Sequence, residues 1–373
     1  MIEAEQKQVG GEPRNSDLAF LRAVIEHGSI SRAEAATVTG VSKPTASAAA
    51  SRLESAGVVR DVGKGQGGRG RSPQIYEVSP EFGTAVVGAA RAGSLTLGEV
   101  DLRGDLVRQQ RFPLDLRITE DDFARVLASS AREFCSAAAP PLCAAISVAA
   151  PVDPRTSRPV RLEEAPFRAA DVDVVGILAP FVSGHVVVDN DVNWSAAAAC
   201  ELHPEIARGL SLHLHLGTGL GAALTVDGRL VRGRRGAFGE IGRLRGAGRT
   251  VSARLEQLAV LGGSGHSLDV ERTAEVLKAD DAQSEDLRQV LAEAIGNAIL
   301  MIDPEHTVLS GPLAEDSEAL AILRRRVVRT IDEESLPASM VLPSDPDPAL
   351  LGAVVHAQRM LHELASQAVA AVG

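Results

Sequence analysis

The sequence predicts an α/β chain in two unequal parts, a small basic module over the first 80 residues and a large acidic α/β body behind it. Three observations predict this. Charge is divided unevenly. Residues 43–71 hold Lys43, Arg52, Arg60, Lys64, Arg69 and Arg71 against Glu54 and Asp61, a net of +4 in a chain of formal charge −11, which leaves −15 elsewhere. Helical periodicity with cap residues fills the stretch before Gly57, whereas strands and helices alternate in the remainder. The third observation is the run Leu214 to Arg243, LHLGTGLGAALTVDGRLVRGRRGAFGEIGR. Here two strands flank Gly217-Thr218-Gly219-Leu220-Gly221, and a glycine-rich arm leads to Gly239-Glu240-Ile241-Gly242.

A chain of 373 residues is long enough for two to three domains and a large core. Hydrophobic residues make up 45% but aromatics only 3%, so the core is built mostly from Ala, Val, Leu and Ile. Net acidity excludes a generic polyanion binder, and any nucleic-acid surface must be local. Cys135, Cys143 and Cys200 are odd in number and widely spaced, which fits a reducing cytoplasm and forms neither a disulfide framework nor a zinc pattern. The start, MIEAEQKQVGGEPRNS, is polar and acidic, unlike a secretory signal, and no apolar run approaches membrane-crossing length.

Residues 1–15 read as a disordered arm and 16–80 as a DNA-binding domain. Ser16 caps a helix from Asp17 to His27 with Leu18, Leu21, Val24 and Ile25 on one face, and Gly28 stops it. Ser31 caps a short second helix through Thr37. Ser42 caps a third, with Pro44 in its first turn where a missing N–H costs little, running to about Ala56. Val58 to Val62 and Ile75 to Val78 are strands joined by the basic loop GKGQGGRGRS. Helices followed by a hairpin with a basic tip make a winged helix-turn-helix. The third helix would enter a major groove. Thr45, Ser47 and Ala48 are short enough for close approach to bases, Lys43 and Arg52 would hold phosphates, and Arg69 and Arg71 on the wing would reach a minor groove.

In the body, Thr84–Ala90, Ser94–Leu102 and Leu106–Phe112 read as antiparallel strands, Asp121–Ala138 as a helix and Leu142–Val148 as a buried strand. His185–Val188 is a strand that runs into Asp189-Asn190-Asp191 and then an alanine-rich helix over 193–201. Asn190 and Asp191 would cap that helix. His213 and His215 alternate on the next strand and are too few for a metal site. Glycines 217–221 let backbone N–H groups approach an anion closely. Later helices cover 268–278, 286–301, 317–331 and 349–367, with a strand and tight turn at Thr307–Leu313.

Taken together, Asn190-Asp191, Gly217–Gly221 and Gly239-Glu240 resemble the signature of the ROK family (repressors, open reading frames and sugar kinases). The resemblance implies a two-lobed actin-like, ribonuclease H-like sugar-kinase-type body over 81–373. Its first lobe would span about 81–188 plus the C-terminal helix, and its second lobe about 189–350. It makes Gly217, Thr218, Gly219 and Gly221 a phosphate-type loop, Asp191 the match to the family's general base, and Asn190, Glu240 and Glu256 matches to sugar ligands. Leu162–Pro166 would help enclose the sugar, and Thr307–Leu313 resembles an adenosine-side motif.

The departures are as informative. The kinases' first turn carries an Asp-x-Gly-x-Thr-like motif that works with metal and phosphate; here Ala90 stands for the aspartate and Ala92 for the glycine. Ala150-Pro151 replaces a Pro-Gly pair. Arg243 replaces a histidine that binds sugar and, in many members, zinc, and the family's Cys-x-Cys-Gly-x-x-Gly-Cys run is missing. No metal and no cofactor are therefore expected. The reading is a cytoplasmic regulator, a repressor by type, that binds an approximately palindromic operator as a homodimer or tetramer. It would respond to a sugar or sugar phosphate, carry no working kinase, and bind no membrane. Arg243 suits a phosphorylated or acidic sugar. Two alternatives stay open: an active sugar kinase with a DNA-binding arm, and a repressor regulated by a partner protein without ligand. Trp194, three residues after Asp191, is expected near the cleft.

Overall fold

The computed structural model describes residues 15–64, 73–116, 118–135, 139–162, 167, 172–262, 267–344 and 347–372. The N-terminal part is α1 (Asn15–His27), β1 (Ser29–Ser31), α2 (Arg32–Thr39), α3 (Lys43–Ser55), β2 (Val59–Lys64) and β3 (Gln74–Val78). Local chemistry sets most of these limits. Ser31 and Glu34 form a capping box at the start of α2, and Ser42 accepts the Thr45 N–H at the start of α3. The strand β1 was not expected. It is three residues long and completes an antiparallel sheet of order β1-β3-β2 by pairing with β3. Phe20 and Tyr76 meet edge to face at 6.0 Å in the centre of this module.

The first lobe holds β4 (Ala85–Arg91), β5 (Ser94–Val100), β6 (Leu106–Pro113), α4 (Glu120–Phe134), β7 (Cys143–Val148), the two-residue strands β8 (Val152–Asp153) and β9 (Arg158–Pro159), α5 (Val174–Leu178) and β10 (Val186–Asn190). Then comes α6 (Asp191–Leu202). The second lobe follows with β11 (Leu210–Leu216), β12 (Leu220–Val226), β13 (Arg229–Leu230), β14 (Arg245–Gly246), β15 (Arg249–Thr250), α7 (Val251–Gln257), α8 (Val270–Lys278) and α9 (Ala282–Ile302). It continues through β16 (His306–Ser310), α10 (Pro312–Glu315), α11 (Ser317–Ile331) and β17 (Ala338–Val341), and α12 (Pro348–Val372) closes the described chain.

The two large sheets repeat one plan. The first has order β10-β7-β4-β5-β6 and the second β17-β16-β11-β12-β13. In each, three antiparallel strands precede two strands added in parallel on the other side. Such parallel additions require crossover helices, which α4 and α5 supply in the first sheet and α9 and α11 in the second.

Small residues replace the missing aromatics where helices meet. The helix α12 lies on α6 so closely that a Cβ on Gly352 would fall 1.9 Å from the Trp194 carbonyl oxygen. Ala353, Ala357 and Ala365 continue that seam, all fully buried. One continuous core joins α12 to the inner face of β4 and β7 and to the N-terminal module through Leu53, Val58 and Phe20. His362 adds a contact of 3.0 Å to the Leu102 carbonyl. The module therefore packs against the same helix that packs against α6. Among the described residues no helix is long and apolar enough to cross a membrane.

Sequence and structure differ at several ends. The helix expected over 193–201 begins at Asp191, because Asn190 is its N-cap. The helix expected from 286 begins at Ala282, where Asp281 and Ser284 form a capping box. The strand β17, the five-residue α5 and the β14–β15 hairpin are too short for a period to be read from pattern alone.

Candidate ligand cleft and DNA-reading surface

A cleft opens where the C-terminal ends of β7, β10 and β11 converge, a position favoured for ligands in sheets of this kind. Its inner chamber has a volume of 230 Å³ and is lined by Asn190, Asp191, Glu240, Arg243 and Glu256, together with Thr218, Gly219 and Gly221. These residues span 67 positions of sequence and come together only through the fold.

Each is held in place. Asn190 caps α6: its Oδ1 accepts the Val192 N–H at 2.9 Å and the Asn193 N–H at 3.4 Å, and its Nδ2 donates to the Ala150 carbonyl at 3.2 Å. One amide hydrogen remains for a ligand. Asp191 opens α6, with Oδ1 accepting the Val192 N–H at 2.9 Å. Burial pushes its carboxyl above the usual range, against the attraction of His215. Glu240 is positioned by the bond from the Ala222 N–H to the Gly239 carbonyl, 2.8 Å. Burial, and next the charge of Asp191, push its carboxyl up to about 7, against Arg243. Arg243 and Glu256 are exposed at the mouth, and Arg243 makes no ion pair among the described residues.

One member of the expected phosphate-type loop departs. Gly217 is buried and does not line the chamber, and its N–H is bonded to the Gly219 carbonyl at 3.1 Å within a tight turn. Thr218, Gly219 and Gly221 alone face the cleft. The place of the missing cysteine run is taken by the β14–β15 hairpin and α7, where Arg254 pairs with Glu293 of α9.

Three positions in and behind the cleft escape sequence reasoning. His215 is a cleft residue rather than a packed one. Its Nδ1 lies 3.2 Å from the Ser310 hydroxyl, and burial lowers its pKa against the pull of Asp191. Its neighbour His213 is the packed one, with its pKa lowered to about 4 by burial. Asp189 is buried and accepts from Arg232 Nε at 2.6 Å and Asn193 Nδ2 at 2.7 Å. Arg232 arrives from the arm after β13, so this pair ties the second lobe to the strand that carries Asn190. The only available signal was an acid directly before Asn190 and an arginine-rich arm 40 residues on. Trp194 also differs from expectation. It is buried against α12, with Nε1 donating to the Ile146 carbonyl at 3.1 Å and its ring against His356 at 4.9 Å. It lines neither part of the cleft.

On the N-terminal module, Lys43 and Ala48 are exposed on α3, while Thr45 and Ser47 are half-buried and Ala46, Ala49, Ala50 and Leu53 face the core. The Thr45 hydroxyl is 2.7 Å from that of Ser42. Arg52 is not a free phosphate ligand. Its Nε donates to Asp17 Oδ2 at 3.0 Å and a second bond joins Nη2 to Oδ1, so it neutralises a carboxylate that is 2% exposed. Arg60 is likewise bound to Glu77 at 2.8 Å. Arg69 and Arg71 lie outside the described residues.

Residues 14–60 match the model of a winged helix-turn-helix DNA-binding family, and residues 94–253 match the ROK family. A ROK family transcriptional regulator, described as a homologue of the E. coli MLC protein, shares the fold. It has 18% identity and a TM-score of 0.66, over 95% of this chain and 98% of that one. The ROK hexokinase from Thermus thermophilus matches at 21% identity and a TM-score of 0.56, over 75% of this chain and 99% of its own. A bifunctional enzyme NanE/NanK from Brucella melitensis is 31% identical over 151 residues, which is 37% of this chain. The chain spans 29% and 28% of the two curated relatives it matches. Winged module, repeated five-stranded sheets and cleft agree with these matches: the chain carries a ROK family domain behind an N-terminal winged helix-turn-helix.

Proposed function

We propose that the protein is a DNA-binding transcriptional regulator of carbohydrate metabolism, a repressor by type, whose ROK domain senses a sugar or sugar phosphate and does not phosphorylate it. In this reading residues 16–80 read DNA and 81–373 sense ligand, within a homodimer or tetramer on an approximately palindromic operator.

The observation that carries it is the division of the cleft. The inner chamber keeps an amide and three carboxylates, from Asn190, Asp191, Glu240 and Glu256, facing one space that suits a ring of hydroxyls. Arg243 at the mouth would accept an acidic or phosphorylated substituent. The matching position for the kinases' aspartate is Ala90, a methyl group with nothing to hold a metal or orient a phosphate. The shared packing of α12 on α6 and on the module supports a route for response. A ligand that draws the lobes together shifts α6, and α12 carries that shift to α3, to the extent of the ligand's differential affinity for the two states.

Binding to DNA selected from random sequence, titrated over a range of salt with and without a carbohydrate panel, tests the reading. Lys43→Ala should lower the slope of log K against log salt by about 1 without altering sequence preference. Substitutions at Thr45 or Ser47 should alter preference. DNA affinity that no carbohydrate changes would favour the partner-regulated alternative.

A further inference from the structure

The cleft does not end at Asp191. Beyond it lies a second chamber of 650 Å³, bounded by the β4–β5 turn on one side and by the Gly311-Pro312 turn on the other. Asp191, His215 and Thr218 line both chambers, so the two are continuous.

Its chemistry is unsuited to a nucleotide. The only lining cation among the described residues with a fixed charge is Arg91, and its guanidinium is 2.6 Å from Asp347. Asp347 is itself fixed at the start of α12, where Oδ1 accepts the Ala349 N–H at 3.1 Å. Asp191 and Glu315 remain as further acids on the wall, and burial lowers the pKa of His215 against the pull of Asp191. A polyphosphate entering here would find its one arginine already paired and the aspartate of the first turn replaced by Ala90, so its charge would have to be offset wholly by an ion it brought with it. What remains is neutral and mixed. Thr218 offers an exposed hydroxyl, Ser147, Ser195 and Ser310 are buried hydroxyls of the wall, with Ser195 bound to the Asp191 carbonyl and Ser310 beside His215, and Ala90, Ala92, Leu116 and Pro312 contribute apolar surface. A wall of hydroxyls and small apolar faces suits a pyranose or furanose ring, which carries both.

We propose that this second chamber is a subsite for an uncharged glycosyl unit, so that the effector is a disaccharide or longer saccharide with one ring in each chamber. The assignment rests on the sugar-sensing reading of the inner chamber and extends it. Asp191, at the junction, takes hydroxyl groups adjacent to the glycosidic bond.

Calorimetry on the full chain with matched pairs tests it: glucose against maltose, cellobiose and sucrose, and N-acetylglucosamine against its β-1,4 dimer. One disaccharide should bind about tenfold or more tighter than its monosaccharide. Ala92→Trp, which fills the second chamber from the β4–β5 turn, should remove that increment and keep monosaccharide affinity within about twofold. Leu116→Trp, at a 68% exposed position on the chamber rim, guards against a folding defect in the first variant and should act the same way. Monosaccharides binding as tightly as disaccharides would overturn the subsite and leave the sugar sensor standing. So would a non-hydrolysable ATP analogue that binds in competition with the extra ring. Failure of every carbohydrate to bind would overturn both.

Discussion

The two large sheets share a strand order, and each begins with a hairpin whose turn faces the cleft, yet the two turns have diverged. In the second lobe, Leu216 pairs with Leu220 around Gly217-Thr218-Gly219. In the first, Arg91 pairs with Ser94 around Ala92-Gly93. The second-lobe turn keeps backbone exposed to the cleft and packs so tightly that a Cβ on Gly217 would lie 2.5 Å from the His215 Nε2. The first-lobe turn presents the methyl groups of Ala90 and Ala92 and an arginine already bound to Asp347. The same backbone plan thus supports two chemistries. One turn can still meet polar oxygens through the peptide, whereas the other offers a wall. A phosphoryl-transfer site needs both turns, since it works by charge stabilisation from metal and backbone on opposite sides of the reacting group. A binding site needs only one.

Asp191 sits between these turns, and its removal should have the largest effect. Asp191→Ala should lower sugar affinity about 100-fold or more, because it removes a charged acceptor for more than one hydroxyl. Stability should hold or rise, since burial already disfavours the carboxylate. Thermal unfolding in parallel with calorimetry separates the two effects. The comparison breaks if the wild-type protein turns over ATP with a bound sugar and Asp191→Ala abolishes that turnover, for then the first turn is not the wall described.

A reciprocal pair of substitutions tests the turns directly. Gly217→Ala should destabilise by about 1–3 kcal/mol, because His215 is confined between Gly217 and Gly311 and must move. Ala92→Gly should cost under about 1 kcal/mol, chiefly through unfolded-state entropy. Equal effects in thermal melts would mean that the two turns are not differently constrained after all.

How much of this was legible in the sequence follows the range of the interactions. Caps act over three or four residues, so Ser31, Ser42 and the glycines after each helix outline the N-terminal module nearly to the residue. The strand β1 was missed because its evidence lies in its partner β3, where Ile30 pairs with Tyr76, 46 residues away. The same limit governs side chains. Arg52 has the composition of a phosphate ligand, but its carboxylate partner is Asp17, 35 residues earlier on another helix. Lys43 stands on the same helix, is exposed, and keeps its phosphate-binding assignment as a proposal. In the cleft, the motifs that resemble the ROK family pointed to Asn190, Asp191, Glu240 and Glu256, which the fold brings to one chamber. They did not point to Asp189 or to Arg232, a buried carboxylate paired between lobes with a half-buried arginine. Gly217 shows the converse error, a motif position whose N–H is consumed inside its own turn.

The smallest expected effect is a proton. Glu240 has an ordinary value of 4.5 raised to about 7 in the folded chain. Below pH 4.5 the group is protonated whether folded or not and contributes nothing to the pH dependence. As pH rises from 4.5 towards 7, the unfolded chain ionises while the folded chain retains the proton, so the folded state loses stability across that window. Glu240→Gln should flatten the melting curve between pH 4.5 and 7 and melt higher than wild type at pH 8. Ligand binding has the opposite sense. A carboxylate accepts hydroxyl hydrogens on both oxygens, whereas the protonated acid has one oxygen occupied. Sugar affinity should therefore increase about tenfold between pH 6 and pH 8, tracking the ionised fraction of a group that titrates near 7, with release of about half a proton on binding at pH 7 and nearly one at pH 6. Calorimetry in buffers of different ionisation enthalpy measures that proton. If the release persists in Glu240→Gln, Asp191 or His215 is its source, and the carboxylate that meets the sugar lies at the junction of the two chambers rather than on the second-lobe side.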